Sequence, residues 1–129
     1  MEYDRYVCAA ALGKVFGARC REARSLVDAF GGVVELFRAG RGALKGLTPR
    51  LASLSDELFA GSTLEWAARE VEWCRSHGIK PLYIGDPDYP QRLRECPDAP
   101  VIIYTLGKAD LAAPRMLAIV GTRRSTWCG

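Results

Sequence analysis

Apolar residues recur at helical spacing over roughly the first 78 positions, then give way to short continuous apolar runs broken by proline and glycine. Residues 6–12 and 21–30 carry the helical pattern, and Gly31-Gly32 stops the second of them. Residues 33–38 place apolar side chains at 33, 34, 36 and 37, which suits a short buried helix. Gly40, Gly42 and Gly46 punctuate the next stretch. Thr48 then caps a helix with Pro49 at its first position, running through Leu51, Leu54 and Leu58. Ser62 or Thr63 opens a longer helix to about Ser76, stopped by His77-Gly78. On it Leu64, Ala67, Ala68 and Val71 share one face, and Trp66 and Trp73 lie on the opposite one. A helix apolar on two sides fits between two packed bodies, so both tryptophans are expected to pack; exposed, they would stack bases.

Beyond residue 78 the spacing is that of strands. Residues 80–84 read as the first strand, and Asp86-Pro87-Asp88-Tyr89-Pro90 as a rigid turn leading into a helical turn at 91–95. Pro97 and Pro100 frame a second strand at 101–106, ended by Gly107. Residues 109–113 suit one helical turn, and Pro114 breaks it before a third strand at 116–120. Continuous apolar runs such as Val101-Ile102-Ile103 suit a sheet covered on both faces. The architecture expected is α plus α/β: a helical domain over 1–61, of SAM-like or helix-hairpin-helix type, a connecting helix over 62–78, and the first strands of a Rossmann-like α/β domain over 79–129. A doubly wound sheet needs more βα units than the positions after His77 hold, so the chain reads as the N-terminal portion of a larger protein.

Composition narrows the classes. Hydrophobic residues make up 49% and charged ones 26%, as in a folded globular protein. The net charge of +3 is too small to imply nucleic acid on its own. Apolar runs are too short to span a bilayer, and the charged start is unlike a signal peptide. The five cysteines show no CxxC pair and no ligand spacing with His77, so neither a metal nor a disulfide framework is expected. Scattered thiols fit a reducing cytoplasm. No cofactor motif stands out, and a single histidine with no paired nucleophile gives no catalytic constellation. Asp86 and Asp88, flanked by prolines, are better explained by a turn.

The candidate chemistry is concentrated at residues 117–126. An apolar run stops at Gly121 and is followed by Thr122, Arg123, Arg124, Ser125 and Thr126. Strand, glycine turn and helix opening in that order present backbone N–H groups to a phosphate, and arginine adds both charge and a stacking surface. The glycine turns of the helical part admit two readings, as helix ends or as phosphate-binding hairpins; ending helices is the commoner role.

Several motifs together resemble the DNA-processing protein A family. They are His77-Gly78-Ile79, Asp86-Pro87-Asp88-Tyr89-Pro90-Gln91-Arg92-Leu93, Pro97-Asp98-Ala99-Pro100, Tyr104 with Gly107, and Ala118-Ile119-Val120-Gly121-Thr122-Arg123-Arg124. Ala29-Phe30-Gly31-Gly32 and Leu44 to Thr48 extend the resemblance into the helical part. The resemblance implies a SAM-like domain followed by an extended Rossmann domain. It further implies a non-enzymatic protein that binds single-stranded DNA, protects it during natural transformation and loads a RecA-type recombinase, as a homodimer in complete form. Gly121, Thr122 and Arg123 fall on the family's DNA-contacting G-[ST]-R loop, which Arg124, Ser125 and Thr126 continue. Cys128-Gly129 stands where the family usually has Tyr-Gly. Two other classes remain open: a nucleotide-processing enzyme on a related fold, and a protein-interaction module that uses the helical domain alone.

Overall fold

The structure, a computed structural model, describes residues 3–107, with Lys45 as backbone alone. Among the described residues seven helices and two strands run in the order α1 (Arg5–Phe16), α2 (Cys20–Phe30), α3 (Val33–Ala39), α4 (Arg41–Lys45), α5 (Pro49–Leu58), α6 (Gly61–Ser76), β1 (Ile79–Tyr83), α7 (Gln91–Arg94) and β2 (Ile102–Leu106).

Helix α1 is the hub. Its Cys8-Ala9-Ala10-Ala11-Leu12 run is buried on every side, as are Val15 and Phe16. A helix apolar around its whole circumference must be enclosed, and α1 touches α2, α3, α5, α6 and both strands. Asp4 starts it, with Oδ1 accepting from the N–H groups of Tyr6 (2.8 Å) and Val7 (3.3 Å). Around it Leu26, Val27, Val33, Leu36, Phe37, Leu58, Ala67 and Val71 fill one buried cluster, which continues through Leu82, Ile84, Tyr89, Ala99 and Val101 of the strand region.

Most helix limits obey local chemistry. Thr48 Oγ1 accepts the Leu51 N–H at 3.1 Å with Pro49 at the first helical position, as the sequence predicts. The start of α6 differs from expectation. Ala60 is its N-cap, and Thr63 turns inward to donate to the Glu57 carbonyl at 2.8 Å. The buried face of α6 is Thr63, Ala67, Val71 and Cys74, while Ala68 is exposed and Leu64 half-buried. Residues 63, 67, 71 and 74 recur at spacings of four, four and three, which is one helix face, and Thr63 on it is hydrogen-bonded to α5. Helix α4 is a further difference: the glycine-rich stretch forms a short helix with Gly42 inside it, joined to α5 by Arg41 to Asp56 at 3.6 Å.

The strands pair antiparallel, Ile79 with Leu106 through Tyr83 with Ile102. Two strands alone are marginal in water, and here α1 and α6 cover them. Within β2 no residue is fully buried, so the apolar run does not mark a strand enclosed on both faces among the described residues. The expected third strand at 116–120 and the helical turn at 109–113 lie outside the described residues.

Candidate functional site

The turn after β1 is held by several side-chain hydrogen bonds. It is built on two buried side chains, Asp86 at 3% and Tyr89 at 2% exposure. Asp86 Oδ2 accepts from the Tyr83 N–H at 3.0 Å, closing the turn on itself. The same oxygen accepts from the Tyr6 hydroxyl at 2.9 Å, bridging 80 residues to the first turn of α1. Its other oxygen receives no hydrogen bond and lies 3.3 Å from an Arg5 guanidinium nitrogen. Tyr89 donates its hydroxyl to the Pro100 carbonyl at 2.7 Å, tying the turn to the segment that leads into β2. Burial pushes that hydroxyl up to about 12, against the opposing pull of Arg24 and Arg94, so it stays a donor at neutral pH.

Arg94 holds the turn from the other side. Its guanidinium donates to the carbonyls of Ile84 (2.8 Å), Asp86 (2.6 Å) and Tyr89 (3.4 Å), and it lies 5.5 Å from the centre of the Tyr89 ring. A proline-rich turn leaves carbonyls without ladder partners, and a planar fork of donors satisfies several at once. Sequence reading missed Arg94. Its signal was available: an arginine one turn beyond Pro90, next to a segment rich in unpaired carbonyls. Asp88 stays at the surface, 2.9 Å from Lys80 Nζ.

This arrangement is structural. The Asp86 carboxylate is committed to Tyr6, Tyr83 and Arg5, which agrees with the turn role read from the sequence. Burial, reinforced by Asp4, pushes the Cys8 thiol up to about 12 and removes it as a nucleophile. Among the described residues no three His, Cys, Asp or Glu side chains are grouped to hold a metal, and no helix is long and apolar enough to cross a membrane.

The Gly31-Gly32 turn resolves in favour of helix termination. Gly31 adopts φ +83°, and the Gly31 and Gly32 N–H groups return to the Asp28 and Val27 carbonyls of α2. The next N–H, from Val33, donates to the Tyr83 hydroxyl at 3.1 Å. The Glu35 carboxylate fills the space that a side chain at 32 would need. Three successive donors are therefore taken, and a negative charge stands over them, so this turn offers nothing to a phosphate.

The two tryptophans divide. Trp66 is half-buried against the core, with Lys14 Nζ 4.3 Å from its ring centre. Trp73 is 53% exposed and stacks on His77 at 4.0 Å, so the packing expectation holds for Trp66 and not for Trp73. The candidate DNA-contacting residues Gly121, Thr122, Arg123, Arg124, Ser125 and Thr126 lie outside the described residues.

The organised turn and the glycine–arginine motif fall within one matched stretch. Residues 80–129 match the family model described as DNA recombination-mediator protein A. It is the family that the motifs resemble. The recombination-mediator segment starts in β1, takes in the turn held by Asp86, Tyr89 and Arg94, and runs through Gly121 to Thr126. No curated protein and no solved structure matches the chain.

Proposed function

We propose that the chain is a single-stranded DNA-binding recombination mediator rather than an enzyme, and that Gly121, Thr122, Arg123, Arg124, Ser125 and Thr126 form its DNA contact. The reading is carried by the family match over residues 80–129, which includes the glycine–arginine motif. The chemistry supports it: a glycine followed by hydroxyl side chains and two guanidinium groups suits a phosphate and an unstacked base. The Asp86–Tyr89–Arg94 turn supports it in another way. It ties the start of the recombination-mediator segment to α1, giving it a rigid footing on the helical part. In this reading residues 79–129 are the opening of a Rossmann-like domain, residues 1–61 a SAM-like domain, and the setting is the cytoplasm. The complete protein would act as a homodimer that protects incoming DNA during natural transformation and passes it to a RecA-type recombinase.

The test is fluorescence anisotropy of labelled oligo-dT against the purified chain over a salt series, with Arg123→Ala alongside and circular dichroism on both. Binding that weakens with salt and falls on the substitution is expected. A folded chain with no affinity at low salt would reject DNA contact by this polypeptide.

A further inference from the structure

An open trough of about 650 Å3 runs between α2 and the start of α5, on residues outside the recombination-mediator segment. Its floor is aliphatic: Leu26, Ala29 and Leu51. Leu47, next in the chain to the lining residue Thr48, is 53% exposed. Arginines dominate the trough's rim. The Arg19 guanidinium is held in place by the Val15 and Phe16 carbonyls, both at 3.2 Å. Arg21 makes no hydrogen bond or ion pair among the described residues. Arg50 reaches across from α5 to Glu22, the rim's carboxylate, at 3.0 Å. Two guanidinium groups, Arg19 and Arg21, thus line the trough, and its one carboxylate is already paired with Arg50, leaving a net positive border around an apolar floor.

We propose that this trough binds an acidic amphipathic segment of a partner protein. Aliphatic side chains of that segment lie on Leu26, Ala29 and Leu51, and its carboxylates face Arg19 and Arg21. Helix-in-groove recognition has this layout, with apolar anchors on one face and charge at the edge setting the partner's sign. A nucleic acid fits less well, because no aromatic side chain lines the trough to take a base. The proposal is independent of DNA binding through the Arg123 loop.

The probe is a fluorescein-labelled helix-forming peptide of about 15 residues, with leucines at helical spacing and glutamates along both flanks. Its anisotropy is titrated with the full chain. Saturable binding is expected, weakened roughly tenfold by Arg21→Glu and by Ala29→Glu, both surface changes that leave the circular dichroism spectrum intact. The same peptide with lysine in place of glutamate is expected not to bind. The proposal is overturned by absence of binding up to about 1 mM, by equal binding of the lysine peptide, or by affinity unchanged in both variants. Displacement of the peptide by oligo-dT would reassign the trough to nucleic acid and also overturn it.

Discussion

Replacing Asp86 by alanine separates structural anchoring from surface decoration. The substitution leaves the Tyr83 N–H without its 3.0 Å acceptor in a part-buried turn, a loss of roughly 1–3 kcal/mol. It also strips the Tyr6 hydroxyl of its 2.9 Å partner, worth about 1 kcal/mol because half-buried Tyr6 can recover some hydration. The Arg5 pair adds a few tenths of a kcal/mol at most, since that arginine is half-exposed. The sum is about 3 kcal/mol, a large part of the roughly 5–15 kcal/mol available to a domain. It corresponds to a fall in Tm of about 10 °C. Urea denaturation followed by tryptophan fluorescence measures it. Asp86→Asn keeps an oxygen for both donors, so it should lose about 1 kcal/mol. Combined with Tyr6→Phe, the alanine variant should show a coupling energy of about 1 kcal/mol. An Asp86→Ala protein within about 0.5 kcal/mol of the parent would refute the assignment of this carboxylate as the anchor of the turn.

Two further outcomes are expected in the same region. Arg94→Ala should destabilise by about 2 kcal/mol, and Arg94→Lys should not restore it, because one ammonium cannot span three carbonyls; full stability of the lysine variant in urea would contradict the clamp. Stability should also fall in alkali. Tyr89 is raised from 10.0 and Cys8 from 9.0, each to about 12. The unfolded chain therefore loses these protons first. Their contribution is intact below about pH 9 and is lost as pH climbs toward 12. Urea midpoints against pH should show this decline, shallower in Tyr89→Phe, and a flat profile over that range would contradict it.

Much of the helical part was legible because its signals are local. Thr48-Pro49 marks the start of α5, and Gly31-Gly32 ends α2, through one side chain or one φ angle. The apolar spacing at 6–12 marked α1 as a helix, though not how completely it is enclosed. The features missed depend on distant partners. Nothing near Asp86 in sequence points to Tyr6, and Arg94 gains its role only when the turn folds back over it. Helix α4 was hidden because Gly42 is a weak helix former that the contacts with α5 hold in place. Trp73 and Trp66 share a face, yet only Trp66 meets the core, a distinction that spacing cannot make. The candidate DNA contact was reached in the opposite way. It rests on a motif and on the family match, and its residues lie beyond the described part of the fold.

The measurement that bears most directly on that contact is photo-crosslinking of the full chain to an oligonucleotide carrying 4-thiothymidine, with the modified peptides identified by mass spectrometry. Trypsin would release the loop in peptides 116–123 and 125–129. Crosslinks concentrated in these peptides, and lost from Arg123→Ala together with affinity, are the predicted result. Crosslinks confined to the α6 peptide that carries Trp73, with the 116–129 region unmodified, would contradict the account.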